Sequence, residues 1–202
     1  PDSALERLAE AERFRSIFRN PGNIGGRFSA ATLFGLVPAV LAGVVVKDAL
    51  KRVEETASEC RLTPASHNPA AQLAAFLAAA VTSGRWQLRL SMGKGIRGFC
   101  DWVEQLLAES TGKAGAGVFP VPRGVGGEGE TLSHNLRHAV VASMTTFRYP
   151  NDPFLERCED ASVPCFSLVM PHQDDLWNEV LRWETATPSP SRATASRTPP
   201  AR

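Results

Sequence analysis

The chain has 202 residues, which is long enough for one ordinary domain with its own hydrophobic core. Its net charge of +1 argues against a nucleic-acid or membrane-surface partner, because both attract proteins with a strong positive excess. The apolar runs are too short to span a bilayer and no secretory signal is recognisable, so we expect a cytoplasmic protein. Four widely spaced cysteines indicate reduced, mostly buried thiols rather than disulfides or a metal site.

The first part of the chain is predicted to be helical. Ser3 and Glu6 form a capping-box pattern at the start of a helix that runs to Phe18. The next apolar run predicts a buried helix that Pro38 kinks or ends in its first half. Two more helices follow, the first amphipathic and the second apolar nearly all round, so we expect the second to be deeply buried. These predicted helices span residues 3–18, 30–43, 46–60 and 68–83.

Strand-like and helical patterns alternate in the rest of the chain. The predicted strands span residues 87–92, 117–121, 138–144 and 164–170, and the predicted helices span 96–109, 152–161 and 174–185. Such an alternation implies a mostly parallel sheet with helices on both faces. The last segment, 188–202, consists mainly of Pro, Ser, Thr, Ala and Arg without apolar periodicity, which predicts a disordered tail.

A glycine-rich turn precedes the second predicted helix. Gly25 and Gly26 lack a Cβ atom, so the backbone can turn sharply there and approach a ligand closely. Arg27 then presents a permanent positive charge with a planar set of donors suited to an oxyanion. Ser29 is expected to cap the helix that starts at Ala30. The pattern alone leaves open a plain turn whose arginine pairs with a surface carboxylate.

A second group of polar residues closes the helix predicted over 96–109. Glu109 follows three apolar residues at the end of this helix, and the Ser-Thr-Gly-Lys segment 110–113 comes next. Gln105 lies one helical turn earlier, so its side chain shares a face with that of Glu109. A buried carboxylate without an opposing charge is costly, and we therefore expect a functional purpose for Glu109. The alternative is an exposed helix-end carboxylate paired with Lys113.

The two segments resemble two motifs of phosphoglucose isomerases, in the same order. Residues 24–30, Ile-Gly-Gly-Arg-Phe-Ser-Ala, together with Phe-Gly-Leu-Val-Pro-Ala at 34–39, look like the first signature of that family. Residues 101–113 resemble a second segment of that family, in which a glutamine is followed by three residues and then by Glu-Ser-Asn/Thr-Gly-Lys. In both segments the residues are most similar to those of the isomerase half of fused transaldolase/phosphoglucose isomerases. Two motifs about eighty residues apart are far more specific than either motif alone.

The resemblance implies an α/β fold of the sugar-isomerase (SIS) type, with a mostly parallel sheet flanked by helices. We divide the chain into a helical segment over 1–66 with the first motif, an SIS-like domain over 67–187 with the second motif, and the tail. The resemblance covers only the middle of a complete isomerase domain, so the sheet is expected to be incomplete and the chain to be a fragment. The family's Ser/Thr-rich phosphate loop and late active-site lysine have no counterpart here, and we expect the isolated chain to be inactive or nearly so.

The resemblance also implies a reaction, the interconversion of glucose 6-phosphate and fructose 6-phosphate through a cis-enediolate, without a cofactor or a metal. Glu109 is then the base that moves the proton, and Arg27 stabilises the negative charge of the enediolate. Gln105 and Gly26 bind the substrate. An apolar surround suits a carboxylate to such work, so we expect Glu109 to be buried.

Other interpretations stay open. A non-catalytic SIS-type module that binds sugar phosphates has the same fold, because a fold does not fix a function. His134 and His138 lie where the family carries its ring-opening histidine, but their surroundings do not match, and we expect exposed loop histidines. Besides a hexose phosphate, the resemblance implies a second copy of the chain in a homodimer, or a fused transaldolase domain in the full-length protein, as partners.

Overall fold

The computed structural model describes residues 2–111, 117–122 and 136–187. Lys113, His134 and the tail predicted over 188–202 lie outside these residues, as does the glycine before Lys113. No helix in the described part of the chain has the length and the apolar character required to cross a bilayer. All four cysteines carry free thiols, of which two are buried and two are partly exposed.

Four strands form a sheet, and seven α-helices lie before, between and after them in the described residues. The strands are β1 Gln87–Met92, β2 Phe119–Pro122, β3 Ala139–Thr146 and β4 Cys165–Met170. The helices are α1 Ala4–Ala11, α2 Leu33–Leu41, α3 Val46–Glu59, α4 Pro69–Thr82, α5 Phe99–Thr111, α6 Pro153–Asp160 and α7 Leu176–Ala186.

All neighbouring strands pair in parallel, in the order β2-β1-β3-β4. This pairing confirms the predicted α/β class with a parallel sheet flanked by helices, and it is consistent with an SIS-like fold. The connection from β1 to β2 and the connection from β3 to β4 run in opposite directions across the sheet. Because such crossovers are right-handed, α5 and α6 must lie on opposite faces of the sheet.

The two faces of the sheet have separate hydrophobic cores. On one face, side chains such as Leu90 and Ala142 pack with α4, α5 and α7, where Trp183 is the largest fully buried side chain. On the other face, Val141 of β3 packs with Phe154 of α6. All eight residues of β3 are buried, because this strand has a neighbouring strand on each side and a core on each face.

The N-terminal helical segment is joined to the α/β part through α3. This helix packs against α7, and its residues Ala49 and Thr56 are buried. Arg52 of α3 forms an ion pair with Asp175, which lies directly before α7. The division of the chain between residues 66 and 67 stays a prediction.

The first helix is shorter than the sequence predicts. α1 ends at Ala11 instead of Phe18, because Arg13 adopts a left-handed conformation with φ of 53°. The N–H of Phe14 then donates to the carbonyl of Ala9 at 2.8 Å and closes the helix end. The apolar side chains of Phe14 and Phe18 are more than half exposed, so the predicted apolar face is not buried.

The second helix differs from the prediction in its start and in its burial. α2 begins at Leu33, and its cap is Thr32 rather than Ser29, whose hydroxyl donates to the carbonyl of Gly26 at 2.7 Å. No residue of α2 is buried, and its terminal Leu41 is 83% exposed. The helix also continues for three residues beyond Pro38. An exposed helix tolerates this proline more easily, because water can bind the carbonyl that the proline leaves unpaired.

The alanine-rich helix is buried on one face only. α4 presents a stripe at helical spacing to the core, formed by Ala70, Leu73, Leu77 and Ala80. Between these positions, Ala75, Ala78 and Ala79 are exposed. The expectation of burial all round is wrong, because one side of α4 meets the sheet layer and the other side meets no further layer in the described part of the chain.

Candidate active site

The Arg27 segment is a short loop that packs on the main core. A 3-10 turn spans Gly26–Phe28, and it is closed by a hydrogen bond of 2.9 Å from the N–H of Phe28 to the carbonyl of Gly25. The side chain of Phe28 packs against the main core and anchors the turn. Neither Gly25 nor Gly26 has a positive φ, so the turn does not depend on glycine for its backbone conformation. The space above both glycines is open, which leaves room for a ligand near the backbone.

The last turn of α5 meets this loop. The guanidinium Nη1 of Arg27 forms an ion pair with Oε2 of Glu109, although the two residues are 82 positions apart. The Nε of Arg27 donates to the hydroxyl of Ser110 at 3.3 Å. Gln105 Nε2 donates to the other oxygen of Glu109, Oε1, at 3.2 Å. The structure therefore brings Arg27, Gln105 and Glu109 together, and the roles predicted for them remain predictions.

Glu109 is exposed, whereas its apolar neighbours in the sequence predicted that it would be buried. Its side chain is 50% exposed, whereas that of Arg27 is 25% exposed. The core-facing stripe of α5 passes through Val103, Leu106 and Leu107, all fully buried. Because each helical residue turns by about 100°, Gln105 and Glu109 point away from the centre of this stripe. The carboxylate is held by a cation and an amide at the surface, not by an apolar surround.

Glu184, near the end of α7, is a further carboxyl group beside the Arg27 loop, and the sequence patterns predict no role for it. Burial raises the pKa of Glu184 to about 7, and the backbone N–H of Ala30, which follows the loop, opposes this rise. The sequence feature that could have indicated Glu184 is the Arg-Trp-Glu stretch at 182–184, which also resembles a stretch of the fused isomerases. Ser110 was part of the second motif, but its contact with Arg27 required the tertiary structure.

The histidines are used locally. His138 stacks on Trp86 with ring centroids 6.1 Å apart, and its Nδ1 lies 2.9 Å from the carbonyl oxygen of Gly84. His172 caps the 3-10 turn before α7. Neither histidine contacts Arg27 or Glu109 among the described residues. Across residues 2–111, 117–122 and 136–187, no group of three or more His, Cys, Asp or Glu side chains is placed to hold a metal ion.

Comparison with known proteins identifies relatives that are named glucose-6-phosphate isomerase. The glucose-6-phosphate isomerases of Bacillus anthracis and Bacillus cytotoxicus are each 30% identical to this chain over 118 residues, which is 58% of the chain. The match covers 26% of each relative, so the chain spans about a quarter of the length of the curated relatives it matches. These similarities confirm the resemblance that the two motifs predict. No family model matches the chain.

A solved structure supports the fold independently. The crystal structure of a hypothetical protein from Thermus thermophilus superposes on this chain with a TM-score of 0.71 and 19% sequence identity. The superposition covers 92% of this chain and 54% of the other. At this identity the likeness concerns the fold alone, and it extends over nearly all of the chain.

Proposed function

We propose that this chain carries the proton-transfer part of an aldose–ketose isomerase site that acts on hexose 6-phosphates. The observation that carries the proposal is the contact of Arg27 with Glu109 across 82 residues of sequence, with Gln105 on the second carboxylate oxygen. The similarity to proteins named glucose-6-phosphate isomerase supports the choice of substrate. Glu109 is the base, Arg27 stabilises the enediolate, and Gln105 and Gly26 contact the substrate.

The reaction needs one base and one fixed positive charge. Glu109 removes the proton from C2 of open-chain glucose 6-phosphate, and the C–H electrons form the C1–C2 double bond of the enediolate. The same carboxyl group returns the proton to C1, while the hydroxyl proton of O2 passes to O1 and leaves the C2 ketone. The positive charge of Arg27 stabilises the negative charge that develops on the substrate oxygens between these steps.

The guanidinium of Arg27 is positioned for this role. Its Nε and Nη1 are engaged by Ser110 and Glu109, two successive residues of α5, so its orientation is fixed. Its Nη2 donates to no acceptor among the described residues, and this donor is left for a substrate oxygen. A positive charge that is oriented before the substrate arrives stabilises the transition state without a reorganisation cost.

One observation favours the second candidate, a sugar-phosphate-binding module without catalysis. Both oxygens of Glu109 are already engaged, one by a full positive charge, and half of the side chain is exposed to water. Each oxygen keeps a lone pair free of these partners, but water reaches the carboxylate and must be displaced before that lone pair can accept a carbon-bound proton. We therefore expect proton transfer well below an ordinary turnover of about 10 s⁻¹.

The two candidates are separated by following deuterium exchange at C2 of glucose 6-phosphate in D₂O by NMR, which reports the proton-removal step alone. We expect slow exchange that falls by about a hundredfold or more in Glu109→Gln, because the base is lost, while sugar-phosphate binding is kept. Glu104→Gln, an exposed carboxylate on the same helix, is the matched control and keeps the exchange rate. Binding of glucose 6-phosphate without any exchange that depends on Glu109 would establish the binding module instead.

A further inference from the structure

A cleft opens at the carboxyl ends of β1 and β3. Its volume is about 480 Å³, within the usual range for a site that encloses a small molecule. The residues that line it belong to the last residues of the two strands and to the loops after them, and they include Ser91, Lys94, Arg97, Thr145, Arg148 and Tyr149. None of them belongs to the Arg27 site.

The topology of the sheet singles out this position. From β1 the chain crosses to β2 on one side, and from β3 it crosses to β4 on the other side. The two loops that leave β1 and β3 therefore separate and leave a crevice between neighbouring strands. In open parallel sheets, ligands bind in the crevice at such a switch point, outside the carboxyl ends of the strands.

The cleft carries an excess of positive charge. Lys94, Arg97 and Arg148 line it, and no carboxylate among the described residues forms an ion pair with any of them. The acidic residue of the lining, Asp152, is buried, and it accepts hydrogen bonds from the hydroxyl of Ser143 at 2.6 Å and from backbone N–H groups of α6. Its single negative charge still leaves the lining with an excess of positive charge. A concave surface with unopposed cations concentrates anions.

The loop after β1 has a backbone suited to a phosphate. Residues 93–98 read Gly-Lys-Gly-Ile-Arg-Gly, and the glycines stand at the spacing of phosphate-binding turns between a strand and a helix. A Cβ atom at Gly93 would lie 3.3 Å from Cα of Thr145, so glycine lets the loop pass close to β3. Gly95 has φ of +91°, and its carbonyl accepts a hydrogen bond of 2.8 Å from Gln173. The loop is therefore held in place rather than free to vary.

We propose that this cleft binds the phosphate group of a small phosphorylated metabolite, with Lys94, Arg97 and Arg148 as its cationic contacts. The site is separate from the Arg27 site. The helix α5 begins beside the cleft, at the carboxyl end of β1, and runs back to Glu109 near the amino ends of the strands. From Phe99 to Glu109 the helix rises by about 15 Å. The proposal does not rest on the isomerase assignment, and it gives the chain a second anion site.

Calorimetric titration of the whole chain with inorganic phosphate, glucose 6-phosphate and adenosine 5′-monophosphate tests the proposal. We expect all three to bind, and the double variant Arg97→Gln/Arg148→Gln to bind inorganic phosphate and adenosine 5′-monophosphate at least about tenfold more weakly, since each arginine supplies a charge-assisted hydrogen bond. Glucose 6-phosphate loses its binding at the cleft by the same factor and keeps its binding at the Arg27 site. Tighter binding of one ester than of phosphate identifies the group that fills the rest of the cleft. Should the double variant lose its fold, Lys94→Gln, at an exposed position, gives the same comparison.

The controls separate a built site from general charge attraction. Arg157→Gln removes one positive charge from an exposed position of α6 outside the cleft lining, and it leaves the affinities unchanged. Glu109→Gln keeps the affinity of this site for inorganic phosphate and adenosine monophosphate, so failure of the isomerase proposal does not affect the result. An equal loss in the Arg157 variant, or unchanged binding in the double variant, overturns the proposal.

Discussion

Glu179 on α7 gives a sharp test of the energetics of this fold. It is the most buried carboxylate among the described residues, at 3% exposure. One of its oxygens lies 3.3 Å from Nη2 of Arg182, and the other has no hydrogen-bond partner in the described part of the chain. Burial raises the pKa of Glu179 from 4.5 to about 7, and the charge of Arg182 opposes this rise.

The raised pKa has a definite consequence for stability. Between about pH 4.5 and pH 7 the folded chain holds a proton on Glu179 that the unfolded chain has lost. The folded state thus binds more protons in this window, and the free energy of unfolding falls as the pH rises through it. At about 1.4 kcal/mol per pKa unit, this rise corresponds to about 3 kcal/mol lost by about pH 8.

The perturbation is Glu179→Gln, which keeps the shape and an oxygen that accepts from Arg182 but cannot ionise. Urea unfolding, followed by tryptophan fluorescence at about pH 5 and about pH 8, gives the free energy of unfolding of each variant. We expect the difference between the two pH values to be smaller by about 2.5 kcal/mol in Glu179→Gln than in the unmodified chain. Glu156→Gln, at an exposed position of α6, is the control and keeps the original pH dependence. Equal pH dependence in Glu179→Gln and the unmodified chain would refute the reasoning.

Three further outcomes are expected. Burial raises the pKa of the Cys60 thiol and raises that of Cys165 to about 11, while Cys100 and Cys158 are buried. We therefore expect the folded chain to react slowly with Ellman's reagent at about pH 8, and all four thiols to react in denaturant. A thiol that reacts fast in the folded chain would contradict this. Trp183→Ala, at 1% exposure, should lower the free energy of unfolding by about 3–5 kcal/mol, and Trp86→Ala, at 45% exposure, by clearly less, as urea unfolding can show. Arg27→Gln should change the free energy of unfolding by less than about 1 kcal/mol, because its partner Glu109 is half exposed. A larger loss in urea unfolding would mean that the ion pair serves stability rather than function.

The surface of the chain carries exposed apolar side chains, and those of α2 belong to a segment that was predicted to be buried. Phe34 and Leu41 on α2 and Phe119 on the edge strand β2 are each more than half exposed. An edge strand and an apolar helix surface are the features through which chains pair or aggregate.

Local sequence patterns determined most of the elements of this protein. β1 has the predicted bounds, and α3 agrees to within one residue, because strand alternation and helical periodicity are properties of a short segment. Asn68 and Asp152 cap α4 and α6 at the predicted starts, since a cap needs only the next few N–H groups. Both motifs are also visible as residue strings, which indicate Arg27, Gln105 and Glu109 without any knowledge of the geometry.

Tertiary structure alone decided which of these surfaces are buried and which residues meet. The apolar run of α2 gave no sign that it would be exposed, because burial depends on what packs against a segment and not on its own periodicity. The same holds for Glu109, whose exposure follows from the rotation of α5 against the core. The strand order brought the loops after β1 and β3 to one cleft, and the packing of the Phe28 turn brought Arg27 to Glu109. Contacts between distant segments arise only when the whole chain is folded, since no local pattern specifies both partners.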